Sequence, residues 1–365
     1  MAKTPFIFIS PAKYIQGAGA ILSLGEHIKP LGSRVLVLGG NTGLETTRAG
    51  RRESFAASGI TQSEEPFIGE STEEEITRIA KLAESGGFDV IMACGGGKAI
   101  DTAKAAASQT KKPVVIVPTV ASNDSPCSSI SVVYNHDGSF NRLLFLGRNP
   151  DLVLVDTEII AKSPVRQLIS GMGDALATYY EADAGFRSGA KNVPGGMITQ
   201  TAITLAKLCR DTLFEFGVGA KIACENNLVT PALERVVEAN TLLSGLGFES
   251  GAVALAHALS EGLTTIPEAH THTHGELVAF GLLAQLLLEG RDHETVSNVF
   301  EFCNKVGLPT TLAQIGAEPG DELRRAATIA AEPGRPSNNL PFEITPRSVY
   351  DALVAADAVG KMYSK

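Results

Sequence analysis

Apolar positions follow two regimes along this chain. Up to Val155 they come in short compact runs, and beyond Pro164 they recur at helical spacing. Arg34–Leu38 (RVLVL), Val90–Cys94, Lys112–Val117 and Leu152–Val155 are runs of the first kind. Their length and their Val, Ile and Leu content predict strands buried on both faces, as in a parallel sheet. Phe6–Ser10 predicts a further short strand before the turn at Pro11. Ser71 with Glu74 reads as a capping box, followed by an amphipathic helix through Ile76, Ile79 and Leu82. Ser128–Tyr134 and Asn141–Leu146 predict a β-hairpin around His136-Asp137-Gly138-Ser139, with His136 a surface turn residue. Strands separated by helical patterns predict a doubly wound parallel sheet.

The strand pattern stops after Ser163-Pro164. Ile198, Ala202, Leu205, Cys209, Leu213 and Phe216 mark one helix within Gly195–Phe216. Pro231–Phe248 predicts another, with Asn240 and Thr241 on an apolar face as local hydrogen-bonding residues. Gly275–Glu289, Glu294–Val306, Gly320–Ala331 and Pro346–Tyr363 complete a helical bundle. The expected division is an α/β domain over residues 1–163 and a helical domain over 164–365.

Composition narrows the class. The 365 residues suffice for two cores, and 44% hydrophobic with 19% charged residues is ordinary for a globular protein. A net charge of −9, without a basic run, argues against a nucleic-acid partner. The start, MAKTPFIFIS, lacks the apolar core of a secretory signal, and the Phe280–Leu288 run is too short to span a membrane. Cys94, Cys127, Cys209, Cys224 and Cys303 are scattered without a CxxC pair, so no disulfide framework is suggested. The expected setting is reduced and cytoplasmic.

Three stretches carry candidate chemistry. Cys94 is followed by Gly95-Gly96-Gly97-Lys98, then Asp101, at a strand-to-helix turn. A helix opening there points unpaired N–H groups and its positive end outward, which favours phosphate or pyrophosphate. The turn matches neither a Walker A loop nor the GxGxxG fingerprint, and a tight turn without a ligand is the alternative. Pro118–Pro126 (PTVASNDSP) follows a buried strand and offers Thr119, Ser122 and Asp124 at the edge where open α/β sheets place ligands; a plain polar loop is the other reading. Gly251–Gly275 holds four of the seven histidines: His257, His270, His272 and His274. His257 reads either as a satisfied core histidine or as a ligand, and His270 and His272 as solvated loop residues. Asp174 is expected in the first turn of a helix led in by Gly171 and Gly173, among apolar neighbours, and a buried carboxylate calls for a cation. Asp174, His257 and His274 together would supply three ligands with positions left open, the pattern of a catalytic divalent metal site.

The chain resembles glycerol dehydrogenases of the iron-containing (group III) alcohol dehydrogenase superfamily, nearly end to end. The resemblance is carried by ISPAKYIQG at Ile9–Gly17, GGGKAIDTAKA at Gly95–Ala105, PTVASNDSP at Pro118–Pro126 and NPDLVLVDT at Asn149–Thr157. It continues in GDALATYYEA at Gly173–Ala182, EANTLLSGLGFESG at Glu238–Gly251 and THGELVAFG at Thr273–Gly281. It implies a Rossmann-like parallel-sheet domain plus an all-α helical-bundle domain, the dehydroquinate synthase-like fold. Gly95, Gly96, Gly97 and Lys98 would hold the NAD pyrophosphate with Asp101 beside it. Thr119, Ser122, Ser128, Ile130 and Tyr134 would line the rest of the dinucleotide site. Asp124 would hydrogen-bond a substrate hydroxyl, and Asp174, His257 and His274 would bind zinc, or iron as in many relatives. The implied reaction is oxidation of glycerol to dihydroxyacetone, with hydride passing to nicotinamide C4. The same chemistry on another vicinal diol such as 1,2-propanediol is the alternative. A dehydroquinate synthase-like lyase is disfavoured, because Gly251–Gly275 lacks the Lys and Arg its anionic substrate would need. A homo-oligomer, from dimer to octamer, is implied by the resemblance alone.

The chain departs from the family pattern in three places. Ser260-Glu261 follows Leu259 where a histidine and an asparagine are common. The segment before the last helix reads PSNNLPF at Pro336–Phe342, without the expected histidine. Gly39-Gly40-Asn41 lacks the acid that would hold an adenosine ribose and repel an NADP phosphate. Thr178, four residues after Asp174, is consistent with a three-ligand site.

Overall fold

The computed structural model of the chain describes residues 4–363. The ends of both expected domains and the first three residues of the MAKTPFIFIS start lie outside these. The described residues form two compact units, each discontinuous in sequence. One consists of Ile9–Val165 with Ile222–Gly245, and the other of the chain up to Phe8, Arg166–Lys221 and everything from Leu246.

The first unit carries the strands β1 (Tyr14–Gly17), β2 (Arg34–Gly39), β3 (Thr61–Pro66), β4 (Val90–Gly95), β5 (Val114–Pro118), β6 (Ile130–Tyr134), β7 (Phe140–Phe145) and β8 (Leu152–Asp156). Six of them form one sheet in the order β1-β8-β5-β4-β2-β3, every pair parallel. The compact apolar runs became its interior: β4, β5 and β8 are buried along their whole length. Alternate residues, among them Val35, Val37, Val90, Met92, Val115 and Val117, pack into one core. Each such side chain, fully buried, contributes roughly 1.5–3 kcal/mol.

Both edges differ from expectation. Phe6–Ser10 is not a sheet strand, and Phe6 makes only an isolated bridge to Met197. The edge beside β8 is instead Tyr14–Gly17, in register with Val153–Asp156. The other edge, β3, reads TQSEEP and has no apolar run to betray it. Its glutamates are held by arginines: Glu64 by Arg48 at 2.9 Å and Arg51 at 3.0 Å, and Glu65 by Arg78. The helix after it starts at Glu73, capped by the Thr72 side chain accepting from the Glu75 N–H, one residue later than the Ser71/Glu74 box. β6 and β7 form the expected antiparallel hairpin, and His136 in its turn faces Glu74 at the surface.

The second unit is helical. Its helices include Val165–Ser188, Leu255–Leu263, His274–Leu288, His293–Val306, Asp321–Ala330 and Pro346–Tyr363. The helix predicted from Gly195 begins at Gln200 and runs to Glu225. Glycine sets the closest approaches: a β-carbon on Gly275 would lie 1.8 Å from the Ser170 carbonyl oxygen, and one on Gly173 2.3 Å from that of Gly275. No single helix among the described residues is long and apolar enough to cross a membrane.

Candidate functional site

Asp174 does not open a helix. It lies inside Val165–Ser188, with a fully buried side chain. The glycines beside it serve packing: Gly173 and Gly275 let this helix lie directly against the start of His274–Leu288. His274 is the first residue of that helix. Glu276 anchors the helix start by accepting from the Thr273 N–H at 2.8 Å and from Nε and Nη2 of Arg166 at 2.7 Å. His257 comes from a third element, Leu255–Leu263.

These three side chains converge. Nε2 of His257 and Nε2 of His274 each lie 3.3 Å from the same Asp174 oxygen, Oδ1. One ligand atom from each residue falls within 4.8 Å of the other two. The second ring nitrogen of His257 is taken: Nδ1 lies 2.5 Å from Oε2 of Glu181, whose other oxygen accepts from the backbone N–H groups of Ala254 and His257. With Nδ1 as donor, Nε2 presents a lone pair, as an imidazole ligand must. His274 remains half-exposed, so the cluster opens on its side.

Electrostatics fit a cation. Burial alone would raise the Asp174 carboxyl, but His274 and His257 hold it well below the usual carboxylate range. Burial would likewise lower His257, and the carboxylates of Glu181 and Asp174 reverse that, raising its basicity. Two fully buried acids and two imidazoles make a site that a divalent cation neutralises. Ser260, at the first departure from the family pattern, donates to the His257 carbonyl at 2.8 Å and faces backbone. Its neighbour Glu261 pairs with Arg335 at 2.5 Å, and burial raises its carboxyl. His270 and His272 do not join the cluster; His272 faces Glu276.

The glycine turn lies in the strand-bearing unit. β4 ends at Gly95, Gly96 is extended at the N-cap, and the helix Gly97–Thr110 begins with no acid in its first turn. Lys98 reaches Glu70 and stands 5.5 Å from the centre of the Tyr134 ring. The PTVASNDSP loop runs alongside: Thr119 donates its N–H to the Gly95 carbonyl at 3.1 Å, and a β-carbon on Gly97 would lie 2.8 Å from Nδ2 of Asn123. Thr119, Ser122, Asp124, Ser128, Ile130 and Tyr134 thus fall on one segment beside the turn. Asp101 faces inward: Oδ1 accepts from Ser125 at 2.7 Å and pairs with Lys104 at 3.0 Å, and Oδ2 accepts from the Val132 N–H. Lys104 is buried and also donates to Ser128 and the Ile130 carbonyl, so this pair organises the segment from within. At the end of β2, Gly40 caps the helix starting at Asn41, without an acid there.

Glu181 joins the site without having stood out in the sequence. The available signal was an acid about two helical turns beyond Asp174, on the same face and within an apolar stretch.

Residues 11–157 match the family described as iron-containing alcohol dehydrogenase. Over 359 residues the chain is 48% identical to a glycerol dehydrogenase of Escherichia coli O6:H1, covering 98% of each chain. It is 48% identical over 356 residues to a glycerol dehydrogenase of Thermotoga maritima, covering 97% of each. Its fold superposes on the crystal structure of glycerol dehydrogenase from Schizosaccharomyces pombe with a TM-score of 0.95 at 35% identity, over 100% of this chain and 93% of that one. A shared architecture and near-complete coverage at high identity lead to one conclusion: the chain belongs to the iron-containing alcohol dehydrogenase family, alongside its glycerol dehydrogenases.

Proposed function

We propose that the protein is an NAD-dependent, divalent-metal glycerol dehydrogenase that interconverts glycerol and dihydroxyacetone. The observation that carries this reading is the convergence of Asp174, His257 and His274 in a chain nearly half identical to glycerol dehydrogenases. The three residues would hold zinc, with iron the alternative, since one carboxylate and two imidazoles suit either. When bound, such an ion supplies a Lewis acid that eases loss of a proton from a substrate hydroxyl. Glu181 keeps His257 in the ligand tautomer, and Asp174 offers a carboxylate already stripped of water.

The strand-bearing unit would bind NAD and the helical unit the metal. Gly95, Gly96, Gly97 and Lys98 would meet the pyrophosphate through the helix start, because first-turn N–H groups lack intrahelical partners. Thr119, Ser122, Ser128, Ile130 and Tyr134 would line the remainder of that site. Asp101 acts indirectly in this reading, since both its oxygens are engaged within the protein. Asp124 would accept a hydrogen bond from the second hydroxyl of the diol. Bound there, NAD would supply the acceptor for a hydride from the secondary carbon, and the hydroxyl proton would leave to solvent. The enzyme would act in the cytoplasm as a homo-oligomer.

NAD reduction followed at 340 nm with glycerol tests this, on enzyme as purified, after chelator treatment, and after return of zinc or ferrous iron. Activity that vanishes and returns with one ion is expected and names the ion. Turnover untouched by complete metal removal would overturn the metal role. Silence with glycerol but signal with 1,2-propanediol or with NADP would replace the substrate or the cofactor.

A further inference from the structure

The helix that begins at Pro231 changes its winding partway along. Pro231–Glu238 is α-helical, Ala239–Leu243 forms a π-turn, and α-helix resumes at Ser244. The Ser244 N–H donates to the Ala239 carbonyl, five residues back. Such bulges are rare, and many lie at functional sites, where they re-aim side chains.

Two polar side chains on this turn are fully buried and reach the same loop. Asn240 donates from Nδ2 to the Ala121 carbonyl at 3.0 Å, and Ser244 donates from Oγ to Oδ2 of Asp124 at 2.9 Å. In a regular α-helix, positions four apart are offset by about 40°. Across this wider turn both side chains point at one short loop. Gly245 lets the helix lie against it: a β-carbon there would come 2.9 Å from Cβ of Cys127 and 3.2 Å from the Asp124 carbonyl oxygen. Thr241, between them, is used elsewhere, touching the Tyr14 hydroxyl at 2.8 Å.

We infer that Asn240 and Ser244 are positioning residues that the π-turn aims at the Thr119–Ser128 loop, holding the Asp124 carboxylate ready for the second hydroxyl of a vicinal diol. The inference rests on the reading of Asp124 given above. Two hydroxyl groups separate glycerol from a simple secondary alcohol, so the device acts on diol preference and leaves hydride transfer alone. A carboxylate restrained by a buried donor has fewer orientations to lose, which lowers the cost of ordering it around a substrate.

The test compares kcat/KM for glycerol and for 2-propanol in the metal-loaded enzyme, as wild type, Ser244→Ala and Asp124→Ala. Amide hydrogen exchange over residues 118–128 is followed in wild type, Ser244→Ala and Asn240→Ala. Loss of a buried donor to a charged group should lower kcat/KM for glycerol by about tenfold, chiefly through KM. The value for 2-propanol and the KM for NAD should stay within about twofold. Exchange in the loop should quicken in both Ser244→Ala and Asn240→Ala. Equal losses on both alcohols in Ser244→Ala, or unchanged exchange in both variants, would overturn the inference. If Asp124→Ala discriminates between the alcohols and Ser244→Ala does not, the positioning role alone falls. If Asp124→Ala treats both alcohols alike, the reading of Asp124 falls and takes the inference with it.

Discussion

The Asp/His/His cluster and the glycine turn are built on opposite principles. Asp174, His257 and His274 are side chains from three separate helices, and each ligand atom belongs to one residue. The turn at Gly95–Lys98 offers main-chain N–H groups at a helix start, donors that survive most substitutions. The first site is therefore brittle to single changes and blind to local shape. The second tolerates side-chain loss and responds to anything that adds bulk. The two sites also lie in different compact units, so they should fail independently.

The largest effect expected is at a ligand. Asp174→Asn should weaken metal affinity by more than about a hundredfold, since even supporting residues around such sites contribute ten- to a hundredfold. Chelator competition measures this, and NAD affinity should not move; a joint loss would break the proposed independence. Gly275→Ala comes next. The added methyl would meet the Ser170 carbonyl oxygen, a backbone atom that cannot swing away. It should destabilise the chain by about 3 kcal/mol and spread the Asp174 and His274 helices, seen as a lower Tm with weakened metal binding. Glu181→Gln keeps the shape but removes the charge that orients His257, and should cost roughly ten- to a hundredfold in metal affinity with Tm nearly kept.

Gly97→Ala addresses the other site. Its methyl meets the end of the Asn123 side chain, which can turn aside, so NAD affinity should fall by only about tenfold, with metal affinity intact. An effect confined to NAD would sharpen the contrast. The smallest effect concerns stability away from both sites. The Arg48 side chain first, and Arg51 with it, hold the Glu64 carboxyl at about 2, against an ordinary 4.5. The folded-state value is depressed, so this stabilisation is present above the unfolded value and is lost as pH falls toward 2. Urea melts from pH 6 to pH 3 should show wild type losing about 1 kcal/mol or less beyond Glu64→Gln, because solvent screens this surface cluster.

Legibility followed burial. β4, β5 and β8 were readable because a strand buried on both faces must be apolar throughout. β3 was invisible because an edge strand can satisfy itself with ion pairs, and TQSEEP does so. Phe6–Ser10 misled for the converse reason: its apolar residues do not join the sheet, and the edge position went to the more polar YIQG. Asp174 was recognised as a buried acid but placed at a helix start, because Gly171 and Gly173 look like a break. They are instead a contact surface for another helix. Asn240 read as a local hydrogen bonder, yet its partner is Ala121, far off in sequence.

By itself the sequence determined the kinds of elements, the parallel sheet, the helical remainder, the glycine turn at a helix start and the three metal-ligand candidates. These depend on periodicity and residue chemistry, which are local. Only the tertiary structure decided that two Nε2 atoms meet at one Asp174 oxygen, that Glu181 takes the far nitrogen of His257, and that a π-turn carries Asn240 and Ser244 to the Asp124 loop. Those facts depend on how closely helices approach and how each is wound. Glycines at helix contacts with no room for a β-carbon and a single wider helical turn set them, and neither leaves a mark in hydrophobic spacing.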